Sequence, residues 1–428
     1  MNRTGRVVLV SAVCVLAPSA VMAQTLTLRE VVSLALRNDP RVAEANIRQQ
    51  SASREADFTG ARFGPNLFTG TGALYTYGLP QTPGGALPSI LNLGFTQTVY
   101  DAVARGRHRV ADEQAEVQKL AASSTRQTVM LQAAAAYLEL VAVRRSLDRL
   151  RPASDSARRI VALDIDRLNE GRALPLDVLR ARLSAAQIDE RVTSLESRDT
   201  MLEGQLRLLT GLPADRPILV SGEDLPASPE RSVPELVAAA RTNRDELKAA
   251  EFEARARREN VAGQRGAYFP TVDLVGNYAM FSRFNNLDTY FSRFQRNSVN
   301  AGIEARVPIF SAQTSAAVAL AESQSLEADL AVKRQRDEID IQVRQTAQQA
   351  READAHRTVA ELELAVAQET VRLAEARFAE GRADRLDRET AIVGEARAWD
   401  SFYQADWARQ KAQLELRQAT GELGRLFP

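Results

Sequence analysis

Ser311 to Glu380 reads SAQTSAAVAL AESQSLEADL AVKRQRDEID IQVRQTAQQA READAHRTVA ELELAVAQET VRLAEARFAE, seventy positions without a Gly or a Pro. The stretch is dominated by Ala, Glu, Gln, Arg and Leu, all strong helix formers. At 1.5 Å per residue a helix of that length measures roughly 100 Å, far beyond the ~11–12 residues of an ordinary globular helix. It stops at Gly381, within Arg377-Phe378-Ala379-Glu380-Gly381-Arg382, and a second helical run follows from about Asp384 to Thr420. The spacing predicts a very long antiparallel helical hairpin with a tight tip at Gly381.

Working outward, the same hairpin occurs earlier in the chain. Arg167-Leu168-Asn169-Glu170-Gly171-Arg172-Ala173 matches Arg377-Phe378-Ala379-Glu380-Gly381-Arg382-Ala383. An Asp follows each Gly at the same distance, Asp177 and Asp387, and Thr210-Gly211 matches Thr420-Gly421. These pairs are 210 positions apart (171 to 381, 211 to 421). Nearer the starts of the halves the separation is 205: Asn38 pairs with Asn243 and Pro65 with Pro270. The capping boxes Thr27-x-x-Glu30 and Ser232-x-x-Glu235 recur too, each opening a helix. So many features in register imply an internal repeat.

Each half reads helix, strand, strand, long helix, tip, helix. In the first, helices are expected over Leu28–Arg37 and Arg41–Arg62. A long helix then runs from about Asp101 toward Glu170 and returns over Leu176–Leu209. Three parts follow from this: 24–211 as the first repeat, a Pro-rich connector over 212–234, and 235–428 as the second repeat. Pro152 falls inside the first long helix, where it removes a hydrogen bond and clashes with the carbonyl of Asp148. A kink or short break is expected there, whereas Leu362 holds the matching place in the second half.

Residues 1–23 read as a secretory signal peptide: Arg3 and Arg6, an apolar run from Val7 to Ala17, then Val21-Met22-Ala23 before Gln24. The run is too short for a transmembrane anchor. The only cysteine, Cys14, lies inside it, so the remaining chain offers no disulfide and no thiolate. Charged residues make up 26% of the chain yet the formal net charge is zero, which argues against nucleic acid as a partner. No apolar stretch of ~18 residues follows, so any membrane crossing must use β-strands.

Four segments alternate with period 2. In Leu91–Tyr100, Leu91, Leu93, Phe95 and Val99 alternate with Asn92, Gly94, Thr96 and Thr98. In Ser298–Val307, Val299, Ile303 and Val307 alternate with Asn300, Glu304 and Arg306. Thr271–Phe281 sets Val272, Leu274 and Tyr278 against Asp273 and Asn277, and Asn66–Tyr77 is the weakest of the four. Strands of ~9–11 residues suit a tilted membrane crossing. Tyr75, Tyr77, Phe281, Phe284, Tyr290, Phe291 and Phe294 gather toward one end like an interfacial girdle. Asp273, Asn277, Asn300, Glu304 and Arg306 suit a water-filled lumen. A half-buried soluble hairpin gives the same alternation, but the chain provides no other sheet for these strands to join. Four strands cannot close a barrel, and a spanning sheet must have no free edge. Three copies give twelve strands, a workable barrel.

The return helices carry apolar stripes, Leu176, Leu179, Leu183, Val192, Leu195 and Leu202 in one and Ile392, Ala396, Trp399 and Tyr403 in the other. These read equally as coiled-coil seams or as a bundle core. His108 and His356 are the only histidines; neither has a second ligand at metal-binding spacing, and both read as solvated. No catalytic constellation, phosphate loop or cofactor motif is present, so no enzyme activity and no cofactor are expected.

The duplicated layout, the opening Leu26-Thr27-Leu28-Arg29-Glu30, the strand-to-helix joint Thr96-Gln97-Thr98-Val99-Tyr100-Asp101 and the two tips together resemble the TolC-like outer membrane factor family. The resemblance spans nearly all of the chain after residue 23. It implies a homotrimer with a twelve-stranded β-barrel in the bacterial outer-membrane lipid, continuous with an α-helical barrel in the periplasm. Such proteins are passive exit ducts of tripartite efflux pumps and type I secretion systems, working with an inner-membrane transporter and a periplasmic adaptor (membrane fusion) protein. Carried over residue by residue, the resemblance puts Leu168, Gly171, Arg172, Phe378, Gly381 and Arg382 at the adaptor-contacting tips. It puts Asp177 and Asp387 at the periplasmic aperture, where the alternative for each is a helix cap or a solvated charge. Family members often carry a basic residue two positions after the second tip Gly; here that position is Ala383, with Arg382 beside the Gly. The other reading, a periplasmic coiled-coil adaptor or scaffold without a pore, calls for one hairpin rather than two and for no amphipathic strands.

Overall fold

The computed structural model describes residues 25–76, 85–213, 217–226, 231–281 and 297–427. Residues 1–23, read from the sequence as a signal peptide, together with Tyr77, Phe284, Tyr290, Phe291 and Phe294 and the side chains of Tyr75 and Phe281, lie outside the described residues, and with them the expected aromatic girdle. The elements run β1 (Thr25–Leu26), α1 (Leu28–Asn38), α2 (Pro40–Gly60), β2 (Asn66–Thr76), β3 (Gly85–Tyr100), α3 (Ala102–Asn169) and α4 (Pro175–Thr210). After β4 (Leu219–Val220) the series repeats as α5 (Val233–Asn243), α6 (Asp245–Arg265), β5 (Thr271–Phe281), β6 (Asn297–Arg306), α7 (Ala312–Ala379) and α8 (Arg385–Ala419). No described helix is long and apolar enough to cross a membrane.

Both long helices span 68 residues. They start alike. Asp101 caps α3, its carboxylate accepting from the Ala104 N–H at 2.9 Å, and Ser311 caps α7, accepting from Thr314 at 3.2 Å. The break expected at Pro152 does not occur: α3 continues through it. Proline in a helix interior costs about 3 kcal/mol, a local penalty. On either side of it Leu147, Leu150, Ala153 and Ala157 are buried against neighbouring elements, and that packing holds the helix together.

The four long strands form one antiparallel sheet in the order β2-β3-β5-β6. Its register carries the repeat: Asn66 opposes Thr96, and Thr271 opposes Arg306, the same pair displaced by 205 and 210 positions. The weak alternation of β2 has a visible cause. Phe68 stands over Gly94 of β3, where a Cβ would meet the ring at 2.1 Å, so an aromatic shares the face that elsewhere is polar.

Helix α3 is central. It packs against α4 and α8 toward the tips and against α2 and α6 toward the sheet, while α7 packs against α8, α6 and α5. The rows α4-α3-α8-α7 and α2-α3-α6-α7 therefore end on α4, α2 and α7. Those end helices carry exposed apolar side chains, among them Leu179 and Leu183 on α4, Phe58 on α2, and Leu362 and Val366 on α7. Near the sheet α3 crosses α6 at Gly106 and Gly263; a Cβ on Gly106 would lie 2.4 Å from the Gly263 Cα.

The main core lies midway along the helices. It joins α1, α3, α4 and α8 to Ile218 of the connector and to Leu423 and Phe427 of the tail. The connector does more than link halves. Its strand β4 pairs in parallel with β1, and the fully buried Tyr137 pins both, donating to the Leu26 carbonyl at 3.1 Å and accepting from the Ser221 N–H at 3.2 Å. The repeated Asn and Thr-Gly of the sequence meet here. Asn38 donates to the Thr210 carbonyl at 2.6 Å, and Gly211 and Gly421, at φ 69 and 71, turn tightly against Asn38 and Asn243.

Candidate functional site

The tips are two copies of one turn. Glycine ends α3 and α7 because the chain must enter the left-handed region to reverse, and Gly171 and Gly381 both sit at φ 70. The Arg172 N–H reaches back to the Arg167 carbonyl (2.7 Å) and the Gly171 N–H to Leu168 (3.0 Å). Arg382 and Gly381 do the same to Arg377 (2.8 Å) and Phe378 (3.0 Å). This pair of bonds is the Schellman closure, which satisfies the last helical carbonyls. Arg172 pairs with Glu170, and Arg382 with Glu380. Both glycines are open, with nothing within 4 Å of where a Cβ would stand, and Arg172, Phe378 and Arg382 are exposed.

Asp177 and Asp387, equivalent in sequence, differ in structure. The Asp177 carboxylate accepts the Leu174 N–H at 2.9 Å and so serves the first turn of α4, where negative charge is favoured. In the second tip Asp384 takes the capping role, accepting the Asp387 N–H at 3.0 Å. The Asp387 carboxylate is exposed and makes no hydrogen bond or ion pair among the described residues.

Between the two hairpins runs a charged seam that the sequence did not disclose. Arg167 reaches Asp384 at 3.2 Å, Arg159 reaches Glu389 at 3.0 Å, and Arg191 grips Asp400 through two bonds of 2.8 and 3.1 Å. Arg388 lies over the Phe378 ring at 5.5 Å. Glu389 is buried. Burial works against its charge, but bonds from Arg159 and Ser156 outweigh that and hold its carboxyl below the usual range. Asp164, also buried, is pushed up: burial dominates, Asp177 and Asp384 add to it, and Arg167 opposes. Only the long-range pairing sets these residues apart from the many solvated carboxylates on the helices.

At the other end the sheet sorts its residues by face. Asp273 lies opposite Glu304, Asn277 opposite Asn300, and Thr271 opposite Arg306. Since strand side chains alternate, Asp273, Asn277, Asn300, Glu304 and Arg306 share one face. Thr98 joins it, donating to Asp273 at 2.8 Å, and Arg306 pairs with Glu304 at 2.7 Å. Val272, Leu274, Val299 and Ile303 share the opposite face.

His108 departs from the solvated reading. Its ring lies against Gly60 and its Nδ1 is 3.3 Å from the Thr59 hydroxyl, at the α2–α3 contact. His356 is exposed. Among the described residues no cluster of His, Cys, Asp or Glu is placed to hold a metal ion.

A family model described as outer membrane efflux protein matches residues 31–212 and 236–422. The fold is similar to that of the Campylobacter jejuni CmeC outer membrane channel, 15% identical, covering 92% of this chain and 86% of that one with a TM-score of 0.75. It is similar to the outer membrane protein VceC from Vibrio cholerae, at 17% identity, 92% and 96% coverage and a TM-score of 0.73. The open state of the Neisseria gonorrhoeae MtrE outer membrane channel gives 15%, 92%, 89% and 0.70. No curated protein matches the sequence.

Proposed function

The chain belongs to the outer membrane efflux protein family and is an outer-membrane exit duct, and from that premise we propose how its own residues build one. Three copies close the barrel. The observation that carries this is a four-stranded sheet whose edges are β2 and β6, with nothing among the described residues to cover either. A sheet in lipid must pair every edge, so β6 of one copy pairs with β2 of the next. The helical rows close the same way, the apolar faces of α7 and of α4 and α2 meeting across each junction. The polar face with Asp273, Asn277, Asn300, Glu304 and Arg306 then lines the lumen, and Val272, Leu274, Val299 and Ile303 face lipid.

The tips lie at the periplasmic end, since each long helix leaves the sheet and runs roughly 100 Å before turning. Six tips surround one aperture. Leu168, Gly171, Arg172, Phe378, Gly381 and Arg382 present the surface a periplasmic adaptor meets, and an inner-membrane transporter supplies the energy. Asp387, with no partner of its own among the described residues, is the acidic residue best placed to form a ring at the aperture and attract cations. Asp177 is committed to its helix start. Efflux is the family's activity; protein export by a type I system uses the same architecture. The poreless adaptor reading has no support in a fold with two hairpins and four paired strands.

Native mass measurement in mild detergent tests the assembly. Three copies per particle are expected; a dispersed monomer with folded strands contradicts it.

A further inference from the structure

We infer that the second half carries a binding site for an amphipathic organic carboxylate, in a hollow that the first half fills with its own core. The hollow measures about 520 Å³, within the ~300–1,000 Å³ range of ligand pockets. It lies where α5, α7 and α8 meet the tail. Its floor is apolar, made by Leu236, Ala347, Ala350 and Leu416. Its charged lining is Arg231, Arg351, Arg417 and Arg425 against Asp354 and Glu422, so cations outnumber anions.

The repeat explains why the space exists. Moving 210 positions back, Ala347 becomes Tyr137, Ala350 becomes Leu140, and Arg351 becomes Val141. In the first half Tyr137 and Leu140 are fully buried, and the phenol is tied to β1 and the connector. In the second half the ring is cut to a methyl, an isobutyl group is cut to a methyl, and a guanidinium is added. The tail does not fill the gap. It turns away at Gly421 and places Leu423 and Phe427 in the main core, leaving Arg425 and Leu426 at the rim.

The missing volume is that of an aromatic ring beside an aliphatic group, and the added charge is positive. An aromatic monocarboxylate meets both demands. Arg417 is half-buried and donates to the Pro226 carbonyl at 3.0 Å. Burial holds its guanidinium below the ordinary value, the neighbouring Arg231 adds to this, and Glu422 opposes it; a carboxylate brought beside it adds negative charge, which favours the charged guanidinium.

The test is isothermal titration of 3-phenylpropionate into the detergent-solubilised full-length protein in its assembled form. Millimolar or tighter binding is expected. The neutral alcohol 3-phenylpropan-1-ol is expected to bind about tenfold more weakly. Ala347→Tyr, which restores the first-half residue, should weaken 3-phenylpropionate binding by about tenfold or more while keeping the particle mass and raising the melting temperature. Ala350→Leu fills the same space and decides the matter if Ala347→Tyr fails to assemble. No heat of binding at millimolar 3-phenylpropionate, equal binding by a filled variant, or equal binding of the alcohol overturns the proposal.

Discussion

Asp164 and Glu389 make the tip seam respond to pH in opposite senses. Glu389 is held below the ordinary carboxylate range. Its contribution is present above the unfolded value and is lost as pH falls through the depressed folded value. Asp164 is held above the range. Its charging weakens the seam as pH rises from the unfolded to the raised folded value, and acidification through that window restores stability. Asp164→Asn should therefore slow hydrogen exchange in the tip turns at neutral pH and remove the gain on mild acidification. Glu389→Gln should speed exchange at neutral pH and remove the loss at lower pH. Identical profiles for both variants and the parent would contradict the seam. At the tip itself, a bulky residue at Gly381 must adopt φ 70, a conformation that costs of order 1–2 kcal/mol without glycine. Gly381→Val should impair export while particle mass stays unchanged. Asp387→Ala should alter single-channel conductance or its block by divalent cations in planar bilayers, with Asp177→Ala showing the smaller effect. The glycines were legible because a left-handed turn leaves few alternatives. The seam was not, because Arg159 and Glu389 are 230 positions apart and look like any other charges on a helix.

Among elements, the two long helices were legible almost to the residue, since α7 runs Ala312–Ala379 where breakers are absent. The strands were legible where both faces were pure, and least so in β2, where Phe68 shields Gly94. Of the kink or short break expected at Pro152, the break is absent, because packing along the whole helix outweighs one lost hydrogen bond. The crossing of α3 and α6 was silent in the sequence: a glycine within a helix usually signals only lost propensity, and two of them, Gly106 and Gly263, gave no sign of contact. The structure brings them to backbone contact, so size there acts on the helix spacing. Gly106→Leu should lower the melting temperature and the yield of assembled particles, whereas Gly394→Leu, on α8 within the row and with nothing within 4 Å, should do neither. Equal behaviour of the two variants would show that the crossing relaxes freely.

For the whole molecule, the repeat that organises the sequence also specifies how copies meet. Within one chain β3 pairs with β5, and Gln97 lies opposite Leu274. Shifting β3 by 210 positions gives β6 and its exit at Val307; shifting β5 back by 205 gives β2 and Thr69. If three copies close the sheet as six similar hairpins, Val307 of one copy lies opposite Thr69 of the next. The chain beyond residue 23 has no cysteine, so a pair introduced there has no competing thiol. The decisive measurement is disulfide formation by Thr69→Cys with Val307→Cys in native outer membranes, read on a non-reducing denaturing gel. A ladder ending at a covalent trimer, absent from either single variant, is the result expected. A chain that stays monomeric under oxidation, or ends in a covalent dimer, contradicts a barrel closed by three copies.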